Sequence, residues 1–289
     1  MRDFASSPMP LDQAHGLRRL FARPRATLVP VVSNPHMAFG GMMLERLCAA
    51  FGEHGLHTLV VDAAERAHAA SERALVDLAD AIEPLSTQVS YLAARGLPIR
   101  YVDATGSTAP FLHALADAAP RAEVVLVHAP AADICRLFAR SAELARAGGD
   151  AAAVVRPLLL ADDRPASVTH AYAALKLLVQ RGGLVVHELL LGAAPNSPRA
   201  DRIATQLATC ADTFLDAVLR DSVRIDPLGD ARDQPSAALT RWRANRRRRP
   251  WAWSSGIGDE AKSCIEGVCR CRGEGIRAPR RAAHRHAAR

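Results

Sequence analysis

The sequence predicts a doubly wound α/β fold, in which helices cover both faces of a mostly parallel sheet to give three layers. Short, continuous apolar runs alternate along the chain with segments of helical periodicity, which is typical of βαβ units with strands buried on both sides. The chain has 289 residues, of which 49% are hydrophobic and only 4% aromatic. This length suits one such domain plus a tail, and the core should be aliphatic.

The first strand and helix are predicted near the N-terminus. Residues 27–33 form an apolar run typical of a buried strand, and residues 42–51 have the apolar spacing of a helix. The later strands are predicted at residues 57–62, 99–103, 123–128, 154–161, 184–191 and 222–226. The later helices are predicted at residues 86–95, 108–119, 167–181 and 198–219, with an Ala/Gly-rich surface excursion at residues 145–153.

Ligands of parallel sheets bind beyond the carboxyl ends of the strands. The residues at those predicted ends are therefore the candidates for a site: Ser33, Asn34, Asp62, Asp103, His128, Asp162, Asp163 and Gly192.

Charge divides the chain into a body and a tail. Residues 241–289 carry 14 Lys or Arg and 4 Asp or Glu, whereas residues 1–240 carry 23 and 26. We therefore predict an N-terminal segment at residues 1–26, an α/β domain at 27–230 and a basic tail with little regular structure at 231–289. The mildly acidic body gives no electrostatic reason to expect nucleic acid as a partner.

The composition favours a cytoplasmic protein. No apolar run approaches the roughly 18–20 residues that span a bilayer, and the first ten residues lack the pattern of a secretory signal. Cys48, Cys135 and Cys210 are isolated in helical patterns, where a reduced thiol packs as a small hydrophobe. We expect the chain in the cytoplasm, where the basic tail would also allow peripheral attachment to the inner membrane.

The loop after the first strand has the position of a phosphate-binding loop but lacks its residues. Such a loop needs a glycine-rich turn that ends in Gly-Lys-Ser/Thr, and the first 175 residues contain no lysine. His36, Met37 and Phe39 carry side chains where glycines would let backbone N–H groups close around phosphate. Pro35 has no N–H to donate.

Ahead of this strand, the segment Asp12-Gln13-Ala14-His15-Gly16-Leu17-Arg18 predicts a short helix. Asp12 suits the positive N-terminus of that helix. Leu17 would lie on its apolar face, with Arg18 beside it.

Four separated segments together resemble the FlhG family, the MinD-like ATPases that control flagellar number and placement. The resemblance covers about residues 11–227. The first segment is similar to the Asp-Gln-Ala-x-x-Leu-Arg element by which FlhG proteins stimulate the GTPase FlhF. The resemblance therefore implies that Asp12, Gln13, Ala14, Leu17 and Arg18 bind a partner of that type.

The second segment is the loop, which aligns without a gap with the family pattern Ser-Gly-Lys-Gly-Gly-Val-Gly-Lys-Thr. Ser33 and Asn34 begin it. Pro35 stands where the family has a lysine that reaches across a dimer. Gly40 stands at the phosphate-binding lysine and Gly41 at the magnesium-binding threonine.

The third match consists of two short segments that stand where the family has the acidic residues of its switch regions. Asp62 matches the first aspartate of the family element Asp-Ala-Asp, but Ala64 stands at the second. His128 replaces the aspartate of the family element Asp-Thr-Gly, and Gly192 replaces an asparagine that in the family often contacts adenine. Because magnesium prefers oxygen ligands, we interpret His128 as structural and keep Asp62 as a candidate switch acid.

The fourth segment, residues 161–176, resembles the family pattern Pro-Glu-Pro-Thr-Ser-x-Thr-Asp-Ala-Tyr-Ala-x-x-Lys. Ser167 is predicted to cap the helix. Lys176 lies on this helix, too far from the first loop for catalysis, so no residue is assigned a catalytic role.

The resemblance, with its substitutions, leaves three hypotheses open. The leading one is an FlhG-like regulator that has lost ATP hydrolysis, needs no cofactor or metal, and stimulates an FlhF-type GTPase. The rival is an ATPase that binds ATP and Mg²⁺ through an atypical loop at Ser33, Asn34 and Gly40, although the missing lysine makes an ATP-driven homodimer doubtful. The third is a membrane or nucleic-acid adaptor that acts through the tail.

Two other interpretations of the tail do not involve a macromolecular partner. Metal binding is not favoured, because Cys264, Cys269 and Cys271 do not have a usual zinc spacing. The abrupt rise in Arg, Trp and Cys would also follow from an out-of-frame reading of GC-rich coding DNA.

Overall fold

A computed structural model describes residues 26–146, 155–194 and 196–229. The predicted partner-binding residues 12–18 and the tail at 231–289 lie outside this described part. Within the described residues, no helix combines the length and the hydropathy needed to cross a membrane.

Eight strands and six α-helices follow one another along the described chain. The strands are β1 (Thr27–Val32), β2 (Thr58–Asp62), β3 (Glu83–Pro84), β4 (Val89–Ala93), β5 (Val124–Ala129), β6 (Leu158–Asp162), β7 (Val186–Gly192) and β8 (Val218–Ile225). The helices are α1 (Gly40–Gly52), α2 (Glu72–Val76), α3 (Pro110–Ala118), α4 (Ala131–Arg146), α5 (Pro165–Gly182) and α6 (Pro198–Leu215).

The strands form one sheet in the order β3-β4-β2-β5-β1-β6-β7-β8. All neighbours pair in parallel except the short β3, which is antiparallel to β4. The chain moves from β1 to one side for β2, β4 and β5, and then crosses to the other side for β6. The order therefore reverses at β1, and such a switch point opens a crevice at the carboxyl ends of the strands.

Alternate residues of the central strands are buried on opposite faces of the sheet. On one face, Val29 and Val31 of β1 share a buried cluster with Met43, Leu47 and Phe51 of α1. The residues between them in β1 are also buried, and α4 and α5 contact β1 and β6. The doubly wound, three-layer α/β fold predicted from the sequence is confirmed.

Two predicted elements between β2 and α3 are wrong. Residues 86–95 contain a turn and strand β4 rather than a helix, because the Ser86 hydroxyl accepts hydrogen bonds from the backbone N–H groups of Gln88 and Val89 and so caps a turn. Residues 99–103 are not a strand, since a 3₁₀ helix covers Pro98–Tyr101. Gly96, with φ +76°, redirects the chain just before it.

Asp103 consequently does not end a strand, and its predicted place at the carboxyl edge is wrong. Its carboxylate instead accepts hydrogen bonds from the N–H groups of Thr105 and Ser107, at 2.9 and 3.0 Å, and stabilises a surface turn.

Several other boundaries differ from the prediction. Helix α6 ends at Leu215 rather than 219, because Asp216 takes a left-handed conformation with φ 50°. Helices α2 and α4 had no predicted counterpart. Ser167 does not cap α5, which begins two residues earlier at Pro165 with Arg164 as N-cap residue.

The three body cysteines are free thiols, as predicted. Cys48 and Cys135 are buried and Cys210 is half-buried. Burial raises the pKa of Cys48 to about 12 and that of Cys135 to about 11, so both remain protonated near neutral pH.

Candidate functional site

The carboxyl edge of the sheet brings together most of the residues predicted to lie there. Ser33 and Asn34 directly follow β1, and Asp162 ends the neighbouring β6. Asp62 ends β2 and pairs in register with His128 of β5. Asp62, His128 and Asp162, together with Gly192 at the end of β7, lie at the same edge of the sheet as the loop of residues 33–39, which leads into α1.

The Asn34 side chain fixes this loop to β6 and α5. Its amide nitrogen donates to the backbone oxygen of Leu160 at 2.9 Å, and to the backbone and hydroxyl oxygens of Ser167 at 3.0 Å each. Its amide oxygen accepts from the backbone N–H of His36 at 3.1 Å. Asn34 is thus a buried residue that joins three segments, rather than a group available to a ligand.

The backbone N–H groups of His36, Met37 and Ala38 in the loop have acceptors inside the protein. The Met37 N–H donates to the backbone oxygen of Asn34 at 3.1 Å, which closes a tight turn around Pro35. The Ala38 N–H donates to a carboxylate oxygen of Asp162 at 3.1 Å. In a phosphate-binding loop such N–H groups point at the bound anion. Here a buried carboxylate of the protein accepts one of them.

The side chains of the loop also occupy the space around it. Met37 is buried in the core cluster, and its methyl group lies 3.2 Å from the position that a Cβ atom on Gly192 would take. The ring of His36 packs edge to face on that of His170 of α5, with 5.5 Å between centroids. The loop therefore packs downward onto the sheet and α5.

The space around the first two residues of α1 is open, in contrast to the packed loop. Phe39 is its N-cap residue and makes no side-chain capping hydrogen bond. A Cβ atom added at Gly40 or Gly41 would meet no atom within 4 Å. These two glycines stand at open positions, so packing does not require glycine at either of them.

Asp62 bonds to His128 instead of facing solvent. The imidazole Nδ1 lies 2.9 Å from one carboxylate oxygen of Asp62, which also accepts from the Ala64 N–H at 3.2 Å. The Tyr91 hydroxyl donates to the other oxygen at 3.4 Å. Burial alone would raise the pKa of Asp62, but the hydrogen bond and charge of His128, with the other two donors, hold this pKa below its usual value.

Carboxylates surround the loop on the β2 and β5 side as well. The Ser33 hydroxyl donates to Glu65 at 2.9 Å, which connects the segments after β1 and β2. Burial raises the pKa of Asp133 in the first turn of α4. The positive charge of Arg136 opposes this rise, and the negative charge of Glu65 adds to it. This density of acidic groups disfavours a triphosphate at the same edge.

No three His, Cys, Asp or Glu side chains within the described ranges are placed to hold a metal ion. Lys176 is exposed on α5. The interpretation of His128 as a structural residue agrees with its bond to Asp62.

Asp162 lies at the edge as predicted, but its contact with the loop was not predicted, and Glu65 was not predicted to belong to the site. The signal for Asp162 was an acid that directly follows an apolar run in a strand predicted to be parallel. The signal for Glu65 was weaker, since it lies in a loop three residues beyond β2.

No family model matches this chain, and no curated protein matches it. Among solved structures it is similar to the MinC:MinD cell division protein complex of Aquifex aeolicus, with 13% identity, a TM-score of 0.44, and coverage of 89% of this chain and 100% of that chain. It is also similar to a ParA family ATPase from Chlorobium tepidum TLS, with 13% identity, a TM-score of 0.42, and coverage of 70% and 84%. A plasmid partition protein from Borrelia burgdorferi gives 7% identity, a TM-score of 0.49, and coverage of 76% and 99%. Likenesses at this level establish no activity for the chain.

Proposed function

We propose that this chain is an FlhG-like regulator of flagellar biogenesis that works as a binding module and not as an ATPase. The observation that carries the second half of this proposal, the loss of ATPase activity, is the hydrogen bond from the Ala38 N–H to the buried Asp162 carboxylate. An incoming phosphate would have to displace this carboxylate and would also meet its negative charge.

Three further features support the loss of nucleotide chemistry. The loop itself contains no lysine or arginine, so none of its own side chains carries a permanent positive charge to balance a bound triphosphate. Asn34 is held by β6 and α5, so the loop would lose several buried hydrogen bonds if it opened. Asp62 is engaged by His128, which leaves a magnesium ion to compete with an imidazole.

The proposed partner is an FlhF-type GTPase, bound through the N-terminal segment that carries Asp12, Gln13, Ala14, Leu17 and Arg18. A short helix with Leu17 on its apolar face would dock in a groove of that partner, with Arg18 at the polar rim. This part of the proposal rests on the sequence resemblance.

The partner is tested by GTP hydrolysis of FlhF in the presence of the full chain. The double substitution Gln13→Ala with Leu17→Ala should reduce the stimulated rate to that of FlhF alone. His15→Ala is the matched control, because the motif leaves that position open, and it should stimulate like the native chain. Equal stimulation by the double variant and the native chain would contradict the proposed partner.

The rival function, binding of ATP and Mg²⁺ through an atypical loop, has one structural observation in its favour. The first turn of α1 has no side-chain cap and no acidic residue, and such a turn attracts anions. Isothermal titration with ATP and Mg²⁺ separates the two functions. We expect no measurable heat, and micromolar affinity would favour the rival.

We place the protein in the cytoplasm, with the basic tail as a candidate for peripheral contact with the inner membrane. Anionic vesicles should then bind the full chain in a strongly salt-dependent way, and a chain truncated at Thr240 should not bind. Salt-independent binding, or binding that survives truncation, would remove the tail from the proposal.

A further inference from the structure

We infer that Asp162 and His128 replace an external anion and an external cation, and so hold the carboxyl edge of the sheet in one closed arrangement without a ligand. The control that this chain exerts on its partner would then not respond to nucleotide, a consequence that rests on the proposed function.

The Asp162 carboxylate occupies the anion position. One oxygen accepts from the Ala38 N–H at 3.1 Å, and the other accepts from the Arg164 N–H at 3.2 Å. The Arg164 guanidinium lies 3.7 Å from the first oxygen. Asp162 is only 6% exposed, so this charge is held inside the protein by donors from two different loops.

A second set of bonds fixes Asp162 in place. Its own N–H donates to the Ser167 hydroxyl oxygen at 3.0 Å, and the same oxygen accepts from the Asn34 amide at 3.0 Å. Asp162 and the loop are thus both hydrogen-bonded to one side chain of α5, that of Ser167. Opening the loop would break this network as a unit.

The His128 imidazole occupies the cation position. It lies 2.9 Å from Asp62, whose two carboxylate oxygens also accept from the Ala64 N–H and the Tyr91 hydroxyl. These three donors use most of the roughly four lone-pair sites of the carboxylate, so a divalent cation would have to compete with the imidazole for Asp62.

The two halves are connected through the segment that follows β1. The Ser33 hydroxyl donates to Glu65, which follows β2, and the next residue, Asn34, is bonded to β6 and α5. The Ser33 N–H also donates to the Ala129 oxygen at the end of β5. The loop is thus bounded on both sides by bonds that need no ligand.

Hydrogen exchange of the full-length chain tests the closed arrangement directly. We expect the N–H groups of residues 36–38 to be protected in buffer alone, and their rates to stay unchanged with ATP–Mg²⁺ or inorganic phosphate. Asp162→Ala should raise the exchange rate of Ala38 by about tenfold, since one hydrogen bond to a charged acceptor is lost. Asp163→Ala, the neighbouring carboxylate, should leave it unchanged.

Asp162→Asn is a second variant that keeps the test valid if the Asp162→Ala chain does not fold. It keeps an amide oxygen opposite the Ala38 N–H, so it should fold and show a smaller increase in exchange. Rapid exchange of these groups in the native chain, or protection that rises severalfold with ATP–Mg²⁺, would overturn the inference. So would Asp162 variants, alanine and asparagine alike, with native exchange rates.

The GTPase assay, run with and without ATP, separates this inference from the proposed function. Equal stimulation in both conditions supports both. Stimulation that requires ATP contradicts nucleotide independence but keeps the partner. Absence of stimulation in both conditions, with a protected loop, contradicts the proposed partner and leaves the internal closure standing.

Discussion

Buried polar side chains lie at both ends of strand β6, but they are satisfied to different degrees. At the carboxyl end, Asn34 and Asp162 have hydrogen-bond partners in three segments. At the amino end, Arg156 and Glu188 form an ion pair at 3.2 Å, while His187, the residue before Glu188 in β7, is fully buried. Neither ring nitrogen of His187 has a hydrogen-bond partner among the described residues.

The difference shows what each end contributes. A buried network with satisfied donors and acceptors costs little free energy and fixes a loop in one conformation. A buried imidazole without partners loses its hydration and gains nothing in return, so it reduces stability. We therefore expect stability to depend on the exact donors and acceptors at the carboxyl end, so that even a polar isostere there is destabilising, and to depend on pH at the amino end.

The largest effect should come from Asn34→Asp. This isosteric change removes the donor to the backbone oxygens of Leu160 and Ser167 and places a carboxylate against them. The free energy of unfolding should fall by about 4 kcal/mol, because buried acceptors lose their partner and a buried charge is added. Urea denaturation measures the change.

The matched control is Asn196→Asp, the same chemical change at an exposed position. It should alter the free energy of unfolding by less than about 0.5 kcal/mol. If Asn34→Asp lies within the range of this control, the carboxyl end does not depend on the Asn34 network.

The second effect concerns His187 and acid. Burial lowers its pKa to about 4 from 6.5. Because the unfolded chain binds a proton between these values and the folded chain does not, stability should fall as the pH is lowered from 6.5 to 4. The loss should reach about 3 kcal/mol, since each pKa unit corresponds to about 1.4 kcal/mol.

Urea denaturation of the native chain and of His187→Leu at several pH values isolates the contribution of His187 to the free energy of unfolding. The variant should lose less stability between pH 6.5 and 4, and exposed His68→Gln should behave like the native chain. The contribution of Asp62, whose pKa is lowered from 3.8, is lost only below that pH. Parallel pH profiles for the native chain and His187→Leu would contradict the burial argument.

The sequence was sufficient for the fold and for most strand ends, because continuous apolar runs such as residues 27–32 mark strands buried on both faces. It was insufficient between β2 and α3, where the residues of β4 are alternately half-buried and buried, and where Ser86 caps a turn instead of beginning the predicted helix at residues 86–95. A single serine caps turns and helices by the same bond.

The candidate site was only partly predictable for a different reason. Substitutions at Pro35, Gly40 and Gly41 are visible in the sequence, but the partners of Asn34 lie 126 and 133 residues away along the chain. Contacts at that separation follow from strand order, which places β6 next to β1, and no local pattern encodes them. For the same reason Ser167 was predicted to be a helix cap, although its hydroxyl accepts from Asn34 and Asp162.

The smallest effect should come from the glycines at the start of α1. Gly41→Ala should raise the free energy of unfolding by a few tenths to about 1 kcal/mol, because the position is helical, faces open space and favours alanine. Gly183→Ala is the contrasting variant: Gly183 is the C-cap residue that follows α5, with φ +60°, so alanine there should destabilise by about 1 kcal/mol. Opposite signs in urea denaturation would show that the start of α1 does not require glycine at position 41, whereas the end of α5 does require it at position 183. A destabilised Gly41→Ala chain would instead indicate a packing or conformational role at the start of α1.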